Sequence, residues 1–169
     1  HAATPSDEPL THDVDRLDCV EIQPAVFDLV RGHFDGTWMS EPRVRLIQDD
    51  GRTYLAHTAE RYDVIALEVG QISRPGVAAF YSEEFYRQAR ERLNPGGILS
   101  QLVALPFLTP DSLRSVVATF LAVFPQSVLW YNSAELLLIG ANADAIRIPA
   151  DRLEMLTARP SVQADLRYS

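Results

Sequence analysis

Tyr62-Asp63-Val64-Ile65-Ala66-Leu67-Glu68 and, one helical stretch later, Leu93-Asn94-Pro95-Gly96-Gly97-Ile98-Leu99 are the segments whose reading decides the fold. Together they read as strand, loop, helix, tight turn and strand. In an open parallel sheet a ligand sits outside the carboxyl ends of the strands, so a carboxylate that closes a buried strand stands where chemistry is usually done. Glu68 is therefore the first candidate for a functional residue.

The same alternation extends both ways. Upstream, Leu17 to Ile22 reads as a short strand closing at Glu21. Pro24 opens a helix whose Val26, Leu29, Val30 and Phe34 recur at helical spacing, with Gly36 just past its end. Val44 to Ile47 is a second strand, closed by Gln48-Asp49-Asp50-Gly51, and Arg52 to Thr58 is a short helix. Downstream, Ser82 is an N-cap with Glu83 and Glu84 in the first turn, and Phe85, Ala89 and Leu93 line one face of the helix. Ile98 to Leu105 is the fourth strand. Thr109-Pro110-Asp111 starts a helix carrying Leu113, Val116, Val117, Phe120, Leu121 and Phe124, which Pro125 stops. Val128 to Tyr131 and Glu135 to Ala141, joined by Asn132-Ser133-Ala134, form a hairpin. Such an order predicts an α/β, Rossmann-like, mostly parallel sheet with helices on both faces and a C-terminal antiparallel hairpin.

The chain has 169 residues, enough for one well-buried core. We expect an irregular segment over 1–15, rich in Pro, Asp, Thr and Ser, followed by a single α/β domain over 16–169. The excess of 23 acidic over 15 basic residues gives a net charge of −8, which argues against a nucleic-acid partner bound by phosphate neutralisation. The single cysteine, Cys19, falls in an apolar strand pattern and reads as a buried, inert thiol; no metal-ligand cluster accompanies it. His33 and His57 have no partner at metal or triad spacing, and Trp38 and Trp130 read as packing residues. No apolar run approaches a membrane span, and no signal peptide is visible at the N-terminus.

Val20-Glu21-Ile22 with Pro24, Asp50-Gly51-Arg52, Tyr62-Asp63-Val64-Ile65, Phe80-Tyr81-Ser82-Glu83-Glu84-Phe85-Tyr86 and Leu93-Asn94-Pro95-Gly96-Gly97-Ile98-Leu99 together resemble the spermidine synthase family of the class I S-adenosylmethionine-dependent fold. The Tyr81-to-Tyr86 word is the most specific; the others are shared with many methyltransferases. The likeness runs from about Arg16 to Ala141. Leu153 to Leu166 is also similar to the membrane-fused branch of the family, which implies a cytoplasmic domain tethered by membrane helices elsewhere in a longer chain. A first strand and glycine-rich loop, expected of such a member, are not seen before Arg16, so we read the chain as a fragment. The uncovered edge this leaves predicts a homodimer.

The resemblance implies that Glu21 accepts hydrogen bonds from both ribose hydroxyls of an adenosine, and that Asp50, followed by the permissive Gly51, accepts from the adenine amino group. Glu21 as an exposed loop acid, and Asp49 exchanging roles with Asp50, are the alternatives. No tightly bound cofactor is implied; decarboxylated S-adenosylmethionine or S-adenosylmethionine is the co-substrate, and a small amine or polyamine the acceptor. Aminopropyl transfer needs a carboxylate to take the proton of the attacking amine and a second to hold the polycation. The family places aspartates at both positions; here they are Glu68 and Gln71. Glutamate carries its carboxylate one bond, about 1.5 Å, farther out, and a misplacement of that order costs about 100-fold in rate. Gln71 keeps hydrogen bonding and loses the charge that anchors an ammonium. Tyr81 either lines the acceptor pocket through its hydroxyl or packs beneath the loop Val69 to Ala79, which is long enough to gate a site. A methyltransferase, and a non-catalytic adenosyl-binding or interaction domain of a membrane protein, are the competing functional readings.

Overall fold

The computed structural model describes residues 14–34, 36–69, 72–131, 135–160 and 162–163. In chain order its elements are β1 (Leu17–Glu21), α1 (Ala25–His33), β2 (Val44–Gln48), α2 (Gly51–His57), β3 (Tyr62–Leu67), α3 (Glu83–Arg92), β4 (Leu93–Ala104), α4 (Pro110–Val123), β5 (Ser127–Tyr131), β6 (Glu135–Ala141) and α5 (Ala150–Thr157). Single 3₁₀ turns occupy Thr37–Ser40, Val77–Tyr81 and Leu105–Phe107. The elements group into two compact units, one made of the chain up to Tyr54 with the chain from Ile148 onward, the other of Leu55–Arg147.

In the first unit β1 and β2 run parallel, Leu17 opposite Val44 through Glu21 opposite Gln48. Phe27 of α1, Trp38 and Met39 form its buried cluster, with Leu17, Cys19, Val30, Val44 and Leu46 against it. The helix is thus seated by Phe27 and Val30, whereas Val26, Leu29 and Phe34 are exposed, contrary to the expected stripe. Its apolar residues outnumber what one face against a two-stranded ribbon can cover. An ion-pair network fastens the ribbon. Asp18, its side chain 3% exposed, receives a two-pronged contact from its cross-strand partner Arg45 at 2.7 and 2.6 Å and a hydrogen bond from the Tyr54 hydroxyl at 3.1 Å. The planar guanidinium matches both carboxylate oxygens, which makes this the strong form of an ion pair.

The second unit is a four-stranded sheet in the order β3-β4-β6-β5. β3 and β4 are parallel, and the antiparallel pairings are those of β6 with β4 and with β5. The expected class, α/β with parallel strands and a terminal antiparallel hairpin, is what is found; the hairpin's turn, 132–134, lies outside the described residues. Helix α3 begins where the sequence places it, with the Ser82 hydroxyl accepting from the Phe85 amide. Thr109 likewise caps α4 through the Ser112 amide. Phe85, Tyr86, Ala89, Leu93, Leu99, Val103, Val116, Phe120, Val123 and Phe124 make the buried core. Leu121, expected inside, is 45% exposed, and Trp130, expected to pack, is 59% exposed on β5 at the sheet edge.

The Asn94-Pro95-Gly96-Gly97 word does not end the helix before a strand that starts at Ile98. Strand β4 already begins at Leu93 opposite Tyr62, and the ladder resumes at Val64 opposite Ile98, so the word is a bulge within the strand. Gly96 takes the left-handed conformation, φ 82°, open to glycine at little cost. Asn142 clamps the bulge, its amide donating to the Gly97 carbonyl at 2.8 Å and its carbonyl accepting from the Gly96 amide at 2.9 Å.

Candidate functional site

Glu21 and Asp50 are brought together at the carboxyl end of the β1-β2 pair. Glu21 is the last residue of β1, and its backbone carbonyl accepts from the Asp49 amide at 3.2 Å, which closes the ladder just where the two acids follow β2. One Glu21 oxygen, Oε1, accepts from the Gln23 amide at 2.8 Å and so orders the turn into α1. The tandem acids divide their work. Asp49 turns back to accept the Asp50 amide at 2.8 Å, while Asp50 Oδ1 accepts from the Thr53 amide at 2.9 Å and the Thr53 hydroxyl at 3.2 Å. That is N-cap geometry for α2, which starts at Gly51. Each of these Asp50 contacts uses Oδ1, as does the ion pair from Arg52 Nε at 3.8 Å. Cys19, two residues before Glu21 on β1, is half-buried; burial first, and the Glu21 carboxylate second, push its thiol above the ordinary value.

Glu68 and Tyr81 belong to the other unit. Glu68 follows the last residue of β3, is exposed, and has no hydrogen bond or ion pair to the described residues. Tyr81 is buried, 6% exposed, and its hydroxyl donates to the Val69 carbonyl at 3.1 Å. It packs under the loop with its tip spent on backbone rather than left in water. Gln71, with Gly70, lies outside the described residues.

Sequence reasoning did not single out Gln101. It is the fully buried polar side chain of β4, on the same face as Leu99 and Val103 and in register with Leu67 just before Glu68. Tyr81 and Tyr86 are also buried, and burial pushes both phenols up. An amide in an otherwise apolar strand face is the only sign the sequence offers. Among the described residues no group of three His, Cys, Asp or Glu is placed to hold a metal ion. Nor is any described helix long and apolar enough to cross a membrane.

Comparison with known proteins follows the same lines. The family model of the spermine/spermidine synthase domain matches residues 7–134. The chain belongs to that family. The polyamine aminopropyltransferase 1 of Pseudomonas aeruginosa is 37% identical over 109 residues, which are 62% of this chain and 37% of that protein. Among solved structures, the spermidine synthase of Thermotoga maritima superposes with a TM-score of 0.69 at 21% identity, covering 81% of this chain and 49% of that one. Human methyltransferase-like protein 13, in complex with SAH, superposes with a TM-score of 0.67 at 21% identity, covering 90% of this chain and 71% of that one. This spermine/spermidine synthase domain therefore spans less than half the length of its aminopropyltransferase relatives. Its fold is shared with methyltransferases.

Proposed function

We propose that this domain holds an adenosyl sulfonium co-substrate and that its parent transfers the aminopropyl group to an amine. The observation that carries the reading is Glu68, an exposed carboxylate without a partner among the described residues, directly after a parallel strand, in a chain of the spermine/spermidine synthase family. In this reading Glu68 takes a proton from the acceptor ammonium. The freed amine nitrogen attacks the methylene carbon beside the sulfonium, the C–N bond forms as the C–S bond breaks, and methylthioadenosine leaves with the electron pair on sulfur. Glu21 accepts from the ribose hydroxyls, Asp50 accepts from the adenine amino group through Oδ2, and Gly51 permits close approach of the base. Gln71 meets the distal end of the acceptor with hydrogen bonds and no charge, and Tyr81 borders that end while fixing Val69 from below. No tightly bound cofactor takes part.

The membrane-fused branch belongs to the same proposal, with membrane helices elsewhere in the parent tethering this domain on the cytoplasmic side. So does a homodimer formed through the strand edges of β1 or β3, each of which has one strand partner among the described residues. Light scattering across concentration tests the dimer.

The methyltransferase reading is favoured by the shared fold and by the missing charge at Gln71, since methyl transfer needs no ammonium anchor. Calorimetry and turnover with decarboxylated S-adenosylmethionine plus a diamine, set against S-adenosylmethionine, separate the two. The experiment is run on this chain and on a polypeptide extended to the length of its relatives. We expect weak binding by the 169-residue chain and aminopropyl transfer by the extended one. Consumption of S-adenosylmethionine alone would refute the proposal.

A further inference from the structure

The amino ends of the parallel strands in the second unit carry arginines that the adenosyl reading leaves unused. Arg61 directly precedes β3, Arg92 directly precedes β4, and Arg87 and Arg90 stand three residues apart on α3. All four line one open hollow of about 600 Å³, together with Glu91 and Asn142. Glu68 follows the other end of β3, so this hollow is at the opposite end of the strand from it. Three of the arginines are tethered to main-chain carbonyls. Arg61 Nη1 donates to the Glu91 and Leu93 carbonyls at 2.8 and 3.2 Å, where α3 ends. Arg92 reaches the end of α2, its Nε donating to the Leu55 carbonyl at 3.0 Å and its Nη2 to the Ala56 carbonyl at 3.3 Å. Arg90 Nη1 donates to the Val123 carbonyl, the last of α4, at 2.8 Å, and Arg90 Nε donates to Asn142 Oδ1 at 3.4 Å.

Capping a helix end is a sufficient reason for one arginine, since the last carbonyls carry partial negative charge. It does not exhaust the charge gathered here. A helix end offsets only about half a unit charge, and each of the three guanidiniums spends two of its five N–H groups on these contacts. Among the described residues Arg61, Arg90 and Arg92 have no carboxylate partner, although acids outnumber bases 23 to 15 in the chain; Arg87 pairs with Glu83 one turn back. Glu91, the acid in the lining, forms no ion pair with them. We propose that the hollow is a second binding site, for a small phosphate-bearing anion. A guanidinium fork matches two oxygens of a phosphate, and several forks around one space call for an anion that presents oxygens in several directions, which a lone carboxylate does not. The volume lies in the range of small-ligand sites, about 300–1,000 Å³. Because main-chain carbonyls already hold three of the side chains, their rotamer freedom is lost on folding rather than on binding.

The test is titration calorimetry of the 169-residue chain with pyrophosphate at constant ionic strength, with sedimentation on phosphatidylglycerol vesicles as a second arm, because a lipid headgroup carries the same phosphate chemistry. Three variants locate the binding. Arg87→Gln touches an exposed side chain that caps no helix and should weaken pyrophosphate about 10-fold, the loss of one charge-assisted hydrogen bond. Glu91→Gln removes the repelling carboxylate and should tighten it about 3-fold or more. Arg90→Met should abolish measurable binding while lowering the melting temperature, since it also uncaps α4. Vesicle binding without pyrophosphate binding, lost in Arg87→Gln, would support the site and assign its phosphate to a lipid. Binding of neither probe would overturn the proposal. So would pyrophosphate binding that Arg87→Gln and Glu91→Gln leave unchanged, the result expected if the arginines are helix caps and nothing more. Should Arg90→Met fail to fold, those two variants decide alone.

Discussion

Asp50 has one observed job and one proposed one, and substitution can separate them. Its Oδ1 caps α2 through the Thr53 amide at 2.9 Å and the Thr53 hydroxyl at 3.2 Å, and its Oδ2 is the oxygen proposed to meet the adenine amino group. Asp50→Ala removes both. Loss of an N-cap costs about 1 kcal/mol, which for a chain of this size lowers the melting temperature by roughly 2–4 °C. Losing one hydrogen bond to a charged group costs a further 1.5–3 kcal/mol of binding, roughly a 10- to 150-fold weaker Kd for methylthioadenosine. Asp50→Ser discriminates. Serine is as good an N-cap as aspartate, but its single oxygen is consumed by the cap. We therefore expect Asp50→Ser to melt within about 1 °C of the native chain, since well-tolerated surface changes stay within a few tenths of a kcal/mol. Its nucleoside binding should be as weak as that of Asp50→Ala. Differential scanning calorimetry and titration calorimetry on the extended polypeptide give the two readouts. A serine variant that binds as tightly as the native protein would reduce Asp50 to a helix cap and refute the assignment.

Other outcomes follow from the same structure. Glu68→Gln should lower aminopropyl turnover about 100-fold or more at nearly unchanged KM for the adenosyl substrate, as removal of a general base does; an unaffected rate removes Glu68 from the chemistry. A Cβ added at Gly140 would lie 2.5 Å from the Cβ and Cγ of Phe124, whose ring is fully buried. Gly140→Ala should therefore destabilise the second unit by about 1–3 kcal/mol, read as a lower urea midpoint; an unmoved midpoint contradicts the packing. Cys19 has its thiol pushed up by burial and by Glu21, so the fold favours the protonated form. That contribution to stability is present below the ordinary thiol pKa, about 8.5, and is lost as pH rises above it. Alkylation of Cys19 at pH 8 should be slower than that of a free thiol and faster in Glu21→Gln; a rate above the free thiol's would invert the assignment.

Much of the secondary structure was legible because its signals are local. Ser82 and Thr109 announce their helices through hydroxyls that accept amides three residues on, and the bounds of β3, β5 and β6 track the apolar runs closely. The acids that close β1, β2 and β3 were found for the same reason, since a residue that follows a strand is a matter of order along the chain. Local signals misled where pairing decides. Leu93 looked like the last residue of a helix, yet it pairs with Tyr62 and turns the Asn-Pro-Gly-Gly word into a bulge. The apolar residues of α1 outnumber the surface available to cover them, so the pattern named Val26, Leu29 and Phe34 where packing took Phe27.

From sequence came the alternation of strands and helices, the family and the carboxylates at strand ends, because each depends on residue type and spacing along one dimension. Tertiary structure decided how those residues are used. It spent one oxygen of Asp50 on a helix cap, fastened the Tyr81 hydroxyl to the Val69 carbonyl, and sank the Gln101 amide into an apolar core. These are contacts between groups distant in sequence or oriented by their packing, and a side chain's free valences are counted only after its neighbours have claimed theirs.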